Sequence, residues 1–197
     1  MEKNDSTKWR IFETAIHMFS DVGFEQTSMR DLSDKLGIKP AALYNHFKSK
    51  DDILKSICEF YEYHHKKIVP DMEKILKGAE TEDVYKLLSQ SDVYYDPDIE
   101  ELMIRILVII CFERRTDKRC QELIIKYQYQ SIRQYFYPLL NKLIELKRIE
   151  PLDVETFISL YFSFCHGAIL RKYSGITITV QEWENCLKMI YSLIKPK

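Results

Sequence analysis

Between Ser28 and Lys50 two apolar-faced runs, each too short to be stable as an isolated helix, meet at a single glycine. Ser28 stands at an N-cap, with Asp31 three residues on in a weak capping-box position. Met29, Leu32 and Leu36 are spaced for one buried face, and Gly37 stops the run. Pro40 then occupies a first helical position, and Leu43 and Phe47, four apart, share the core side of the second run. Two short helices joined by a tight glycine turn suit a helix-turn-helix, whose second helix enters the DNA major groove.

The flanking sequence is helical throughout. Ile11, Phe12, Ala15, Ile16, Phe19 and Val22 form a stripe ended by Gly23. Ser49 caps a fourth helix whose face runs from Ile53 through Ile68 to Leu76, with Pro70 expected to kink or break it. Thr81 is the expected cap of a short helix ending near Gln90, and 92–97 reads as a loop. Helices follow over about 98–112, about 119–146 with a kink at Pro138, and 153–173 capped by Asp153. Thr179 and Glu182 form a capping box for a last helix carrying Trp183, Leu187, Ile190, Tyr191 and Ile194. With only 5 Gly and 6 Pro in 197 residues and no convincing strand, the expected class is all-α.

The second run presents chemistry suited to DNA. Ala41 and Ala42 offer only methyl groups, which let a helix sit deep in a groove and can touch a thymine methyl. Tyr44, Asn45 and His46 add hydrogen-bonding groups. Lys39 is a poor N-cap and opposes the helix dipole, a choice explained if an anion or guanine edge arrives there. A solvated surface lysine explains it equally well. Taken alone, Tyr44 reads more readily as packing, and His46 as an ordinary surface histidine. The formal net charge of -1 means that any DNA contact must come from a local patch.

Residues 11–54 resemble the DNA-binding domain of the TetR (tetracycline-repressor) family. The resemblance rests on Ala15, Phe19 and Gly23, then Thr27 and Ser28, and Gly37 at the turn. Leu43 to Phe47 matches the family's Leu-Tyr-x-His-Phe run, followed by Lys48, Ser49, Lys50 and Leu54. It covers about a quarter of the chain. It implies a three-helix DNA-binding domain over 1–48 and a helical effector-binding and dimerisation domain over 49–197. It places Ser28 and Arg30 at phosphate and sometimes base, Lys39, Pro40, Ala41 and Ala42 at base edges, and Tyr44, His46 and Lys50 at phosphates; Asn45 lies among them. Lys39, Pro40 and Ser33 depart from the family's usual residues, which bears on the operator sequence. The implied function is a transcriptional regulator, a repressor released from a palindromic double-stranded DNA operator by a small-molecule effector. A TetR-like protein-interaction module without DNA binding is the alternative, against which Lys39, Tyr44, His46 and Lys50 argue.

The helix over 153–173 is apolar nearly all round and must be covered on two sides. One covering is a homodimer through the last two helices, as the resemblance also implies, with Gly167 permitting close approach; a helix buried within a monomer is the other. The middle of the chain is rich in aromatics, Tyr94, Tyr95, Phe112, Tyr127, Tyr129, Tyr135, Phe136 and Tyr137 among them. Phe112, Tyr127, Phe164 and His166 are the candidate effector contacts, although aromatics at helical spacing also make plain core. His64 and His65 read as surface residues, adjacent and unable to share a metal easily. The 5 cysteines lack any CxxC spacing and read as reduced thiols of a cytoplasmic protein, with Cys111 and Cys120 the pair considered for redox chemistry. No metal, cofactor or enzymatic constellation is expected. The polar start of the chain carries no signal peptide, and the most apolar run, Ile104–Phe112, is too short to span a bilayer.

Overall fold

A computed structural model describes residues 6–67, 70–90, 97–113, 115–176 and 178–197. Among them the secondary structure is helical apart from one isolated bridge between Ile149 and Pro196. The chain interleaves two compact units, residues 1–67 with 95–124 and residues 68–94 with 125–197.

In the first unit, α1 (Thr7–Asp21) starts at Ser6, whose hydroxyl accepts the Trp9 N–H. Its stripe is buried as expected from Ile11 to Phe19, but Val22 is 58% exposed because it is the helix C-cap and not part of the last turn. Then α2 (Met29–Leu36) opens on the Ser28/Asp31 capping box, complete in both directions, and closes on Gly37 in the left-handed region at φ 66°. The short α3 (Pro40–Tyr44) has Pro40 at its first position and no side-chain cap from Lys39. The next helix, α4 (Lys50–Lys66), is capped by Ser49 with Asp51 and Asp52 in its first turn. The unit is completed by α7 (Pro97–Glu113) and α8 (Lys118–Leu123), which pack against α1 and α4. Trp9, Phe12 and Phe60 form an aromatic knot at its centre, with ring centroids 5.3–5.8 Å apart.

Two arginines tie this unit at long sequence range. Arg105 of α7 donates to Ser20 Oγ at 2.9 Å and Asp21 Oδ1 at 2.6 Å on α1. Arg119 of α8 donates to Asp51 Oδ1 of α4 at 2.5 Å and also pairs with Asp117.

His65 corrects the surface assignment: it is 4% exposed. It falls four residues after Tyr61 and eight after Ile57, both fully buried, so the helical repeat carries it onto the core face of α4. Burial pushes its imidazole pKa down to about 4. His64 is half-buried, its ring 4.2 Å from that of Phe60.

In the second unit, α5 (Met72–Gly78) and α6 (Val84–Ser89) precede a helical run of π-helical turns, Ile124–Gln130, all but its first residue in this unit, and α9 (Ser131–Glu145). Pro70 breaks the expected fourth helix outright: α4 ends at Lys66 and Asp71 caps a new one. Ile68 of the expected stripe lies outside the described residues. Asp83, not Thr81, caps α6, because Thr81 and Glu82 donate back to the Gly78 carbonyl in a turn. The expected single helix over 119–146 is interrupted by the π-helical segment, with Pro138 inside α9. The last pair, α10 (Val154–Tyr173) and α11 (Val180–Tyr191), begins at Asp153 and at the complete Thr179/Glu182 capping box. Phe136 of α9 packs on Phe157 and Tyr161 of α10, and Tyr161 stacks on Tyr191 of α11 at 6.2 Å. Tyr135 donates to the Leu87 carbonyl, and Arg148 donates to that of Ala79 at 2.8 Å.

The Gly37 turn is directly testable. An added Cβ would meet nothing within 4 Å, so only the left-handed backbone resists a side chain there. Gly37→Ala is expected to cost about 1–2 kcal/mol in thermal or urea unfolding. An unchanged transition would mean that the turn tolerates a side chain and does not need glycine.

Candidate nucleic-acid interface

The turn between α2 and α3 is closed by backbone hydrogen bonds. The Gly37 N–H donates to the Asp34 carbonyl and the Ile38 N–H to that of Ser33, closing the end of α2. Leu43 and Phe47, 0% and 1% exposed, anchor α3. Lys39, Pro40, Ala41, Tyr44, Asn45 and His46 are left exposed and Ala42 half-exposed, along one short helix and its two ends. The segment from Ser28 to Lys50 holds five Lys and Arg against two Asp, a local positive excess in a chain whose net charge is -1.

The remaining candidates differ in how free they are. Arg30 has a side chain 85% exposed and only a 3.8 Å ion pair with Asp34, so its guanidinium can swing outward. The Ser28 hydroxyl is engaged by Asp31, donating to Oδ2 at 2.6 Å and accepting the Asp31 N–H at 3.1 Å. These bonds hold the Asp31 carboxyl below its ordinary pKa. The Lys50 ammonium donates to the Phe24 carbonyl at 2.6 Å and lies 4.3 Å from the centre of the Phe24 ring. It therefore fastens the first turn of α4 to the loop before α2. Thr27 holds the same loop from within, donating to the Gly23 carbonyl at 2.8 Å. Phe24 escaped the sequence reading, since its partner is 26 residues away. The rare φ of 108° at Gly23, in the same loop, had a local signal in the glycine itself. Ser33, unusual for the family, is buried and donates to the Arg30 carbonyl at 2.8 Å.

The four candidate effector contacts are divided between units. Phe112 belongs to the first and is 51% exposed. Tyr127, Phe164 and His166 belong to the second. Phe164 stacks on Trp183 of α11 at 4.8 Å. His166 lies 4.1 Å from Phe162, whose ring meets Tyr129 of the π-helical segment edge-on at 5.3 Å. Tyr127 is buried beside them in sequence, while Tyr94 and Tyr95 lie outside the described residues.

Comparison with known proteins bears on the same segment. Residues 11–57 match the family model described as bacterial regulatory proteins, tetR family. Over a longer span, the chain is 26% identical to the biofilm operon icaADBC HTH-type negative transcriptional regulator IcaR of Staphylococcus epidermidis, covering 95% of this chain and 96% of that one. The fold matches the ketosteroid transcriptional regulator KstR2 of Mycobacterium tuberculosis with a TM-score of 0.68 over 99% of this chain and 98% of that one, at 22% identity. The N-terminal segment of the chain is thus similar to the tetR family of bacterial regulatory proteins.

A further relative, the HTH-type transcriptional regulator YerO of Bacillus subtilis, is 29% identical over 72% of this chain, and the match spans 44% of that protein's length. The TetR match ends at residue 57, so it covers the exposed α3 surface, Lys50 and the start of α4. No helix among the described residues is long and apolar enough to cross a membrane.

Proposed function

We propose that this chain is a homodimeric TetR-family transcriptional repressor, not an enzyme, that binds a palindromic DNA operator and is released by a small-molecule effector. The observation that carries the reading is the α3 surface. A five-residue helix is anchored by Leu43 and Phe47 and leaves Lys39 to Ala42, Tyr44, Asn45 and His46 outward, inside a basic segment that matches the family. Residues 1–48 are the DNA-reading domain and 49–197 the effector and dimerisation domain. Arg30 and Lys39 to Ala42 face base edges, and Ser28, Tyr44, His46 and Lys50 face phosphates. Phe112, Tyr127, Phe164 and His166 are the candidate effector contacts.

Dimerisation through α10 and α11 is supported by the apolar side chains those helices leave uncovered. Leu160, Leu170 and Met189 are 44%, 49% and 72% exposed, and an added Cβ at Gly167 would meet open space. Light scattering at micromolar concentration is expected to give twice the chain mass of 23.6 kDa. A gel shift on the duplex beside the protein's own gene is expected to give a complex that scrambled DNA does not compete away. A clean monomer would remove the palindromic operator. Equal competition by scrambled DNA would remove the sequence-specific regulator.

A further inference from the structure

Cys58 of α4 and Cys120 of α8, 62 residues apart in sequence, bring their Sγ atoms to 3.9 Å. The pair considered from sequence was Cys111 with Cys120; here the Cys120 sulfur meets that of Cys58. Both thiols are buried, Cys58 6% and Cys120 0% exposed. Their neighbourhood is fixed by the Arg119–Asp51 ion pair, which joins the same two helices. Asp51 lies two turns before Cys58 on α4, and Arg119 adjoins Cys120. Asp117 caps α8 by accepting the N–H groups of Arg119 and Cys120. The hydrogen bond with Cys58, and then burial, keep the Cys120 thiol protonated well above its ordinary range.

We propose that Cys58 and Cys120 form an oxidation site for hydroperoxides, closing to a disulfide that weakens DNA binding. Cys58, the more exposed residue of the two, attacks the peroxide and gives its thiol proton to the leaving oxygen. The O–O bond breaks, an S–O bond forms, and Cys58 becomes a sulfenic acid with release of water (or an alcohol from an organic peroxide). Cys120 then displaces the sulfenic oxygen. The S–S bond forms, the S–O bond breaks, and the Cys120 proton leaves with that oxygen as a second water. The two sulfurs together lose two electrons and the peroxide gains them.

A disulfide needs an S–S separation of about 2.05 Å, so the sulfurs must close by nearly 2 Å through rotamer change and movement of α4 against α8. Because Lys50 in the first turn of α4 holds the Phe24 carbonyl, that movement reaches the loop that positions α2. The effect on DNA rests on the repressor reading; the disulfide does not.

The experiment uses the full chain, treated with hydrogen peroxide, alkylated and digested with trypsin. Peptide Ser56–Lys66 is expected to appear joined to Cys120–Lys126, two hydrogens lighter than the separate peptides. In a gel shift on the duplex beside its gene, affinity is expected to fall roughly tenfold and to return with dithiothreitol. Cys120→Ser, with Cys120→Ala should serine not fold by circular dichroism, is expected to keep its affinity after peroxide. Cys111→Ser is expected to respond as the natural chain does. Absence of the joined peptide overturns the proposal whatever the DNA result. So does a joined peptide with unchanged affinity, or an equal loss in the Cys120 variants. A reduced protein that binds no duplex would overturn the repressor reading and the regulatory half together, leaving the peptide map to decide the chemistry.

Discussion

Lowering the pH from 7 to 4 is expected to remove about 3 kcal/mol of folding stability through His65 alone. The imidazole is neutral in the fold because burial opposes its charge, whereas in the unfolded chain it titrates near 6.5. A depressed folded pKa means that the unfolded state takes up the proton first. The contribution is therefore complete above about pH 6.5 and drains away as the pH falls toward about 4. Carboxylates held down by hydrogen bonds, such as Asp117 and Asp31, act lower, below their ordinary range near 3.9, so the two windows separate. Urea unfolding of the natural chain and of His65→Phe at pH 7, 5.5 and 4.5 reads the difference. The natural chain should lose stability steeply over that interval and the variant much less. Parallel losses would show that His65 is not the titrating group.

The second large effect concerns DNA. Arg30→Ala is expected to cost about 1–3 kcal/mol on the operator and to relax preference at one base position per half-site. The motivation is the 85% exposed side chain, held only by a 3.8 Å ion pair with Asp34. Lys50 behaves differently, since reaching a phosphate means giving up its bond to the Phe24 carbonyl. Lys50→Ala is expected to weaken operator and scrambled duplexes alike, to lower the salt slope by about one per subunit, and also to reduce thermal stability. Titrations of both variants against both duplexes at several salt concentrations decide the matter. Equal losses for Arg30→Ala on the two duplexes would make Arg30 a backbone contact. If neither variant changed binding, the helix-turn-helix would not be the DNA-reading surface.

What was legible in the sequence was local. Ser28, Gly37, Pro40 and Ser49 act on backbone within four residues of themselves, and each stands where its chemistry required. The exposed face of α3 followed from the four-residue spacing of Leu43 and Phe47. The misreadings have two sources. Thr81 and Asp83 are both good caps two residues apart, and the choice fell to a turn closing on Gly78 that neither residue encodes. The π-helical turns between Ile124 and Gln130 likewise leave no mark on an apolar pattern tuned to 3.6 residues. Contacts at long range were beyond reach: Arg105 with Asp21, Arg119 with Asp51, and Cys58 with Cys120 exist only once α1, α4, α7 and α8 have packed. His65 was the avoidable miss, because its spacing from Ile57 and Tyr61 already put it on the buried stripe.

The interleaving of the two units has a consequence for biosynthesis. All residues of the first unit have been polymerised once Ile124 is added, while 73 residues of the second are still to be translated. The second unit holds 68–94 waiting for partners such as Tyr135 and Arg148. Its final stitches are the Glu150 N–H to the Lys195 carbonyl and the Lys197 N–H to the Arg148 carbonyl. On the ribosome the first unit thus has all of its residues early, and the second cannot close until Lys197 has been added.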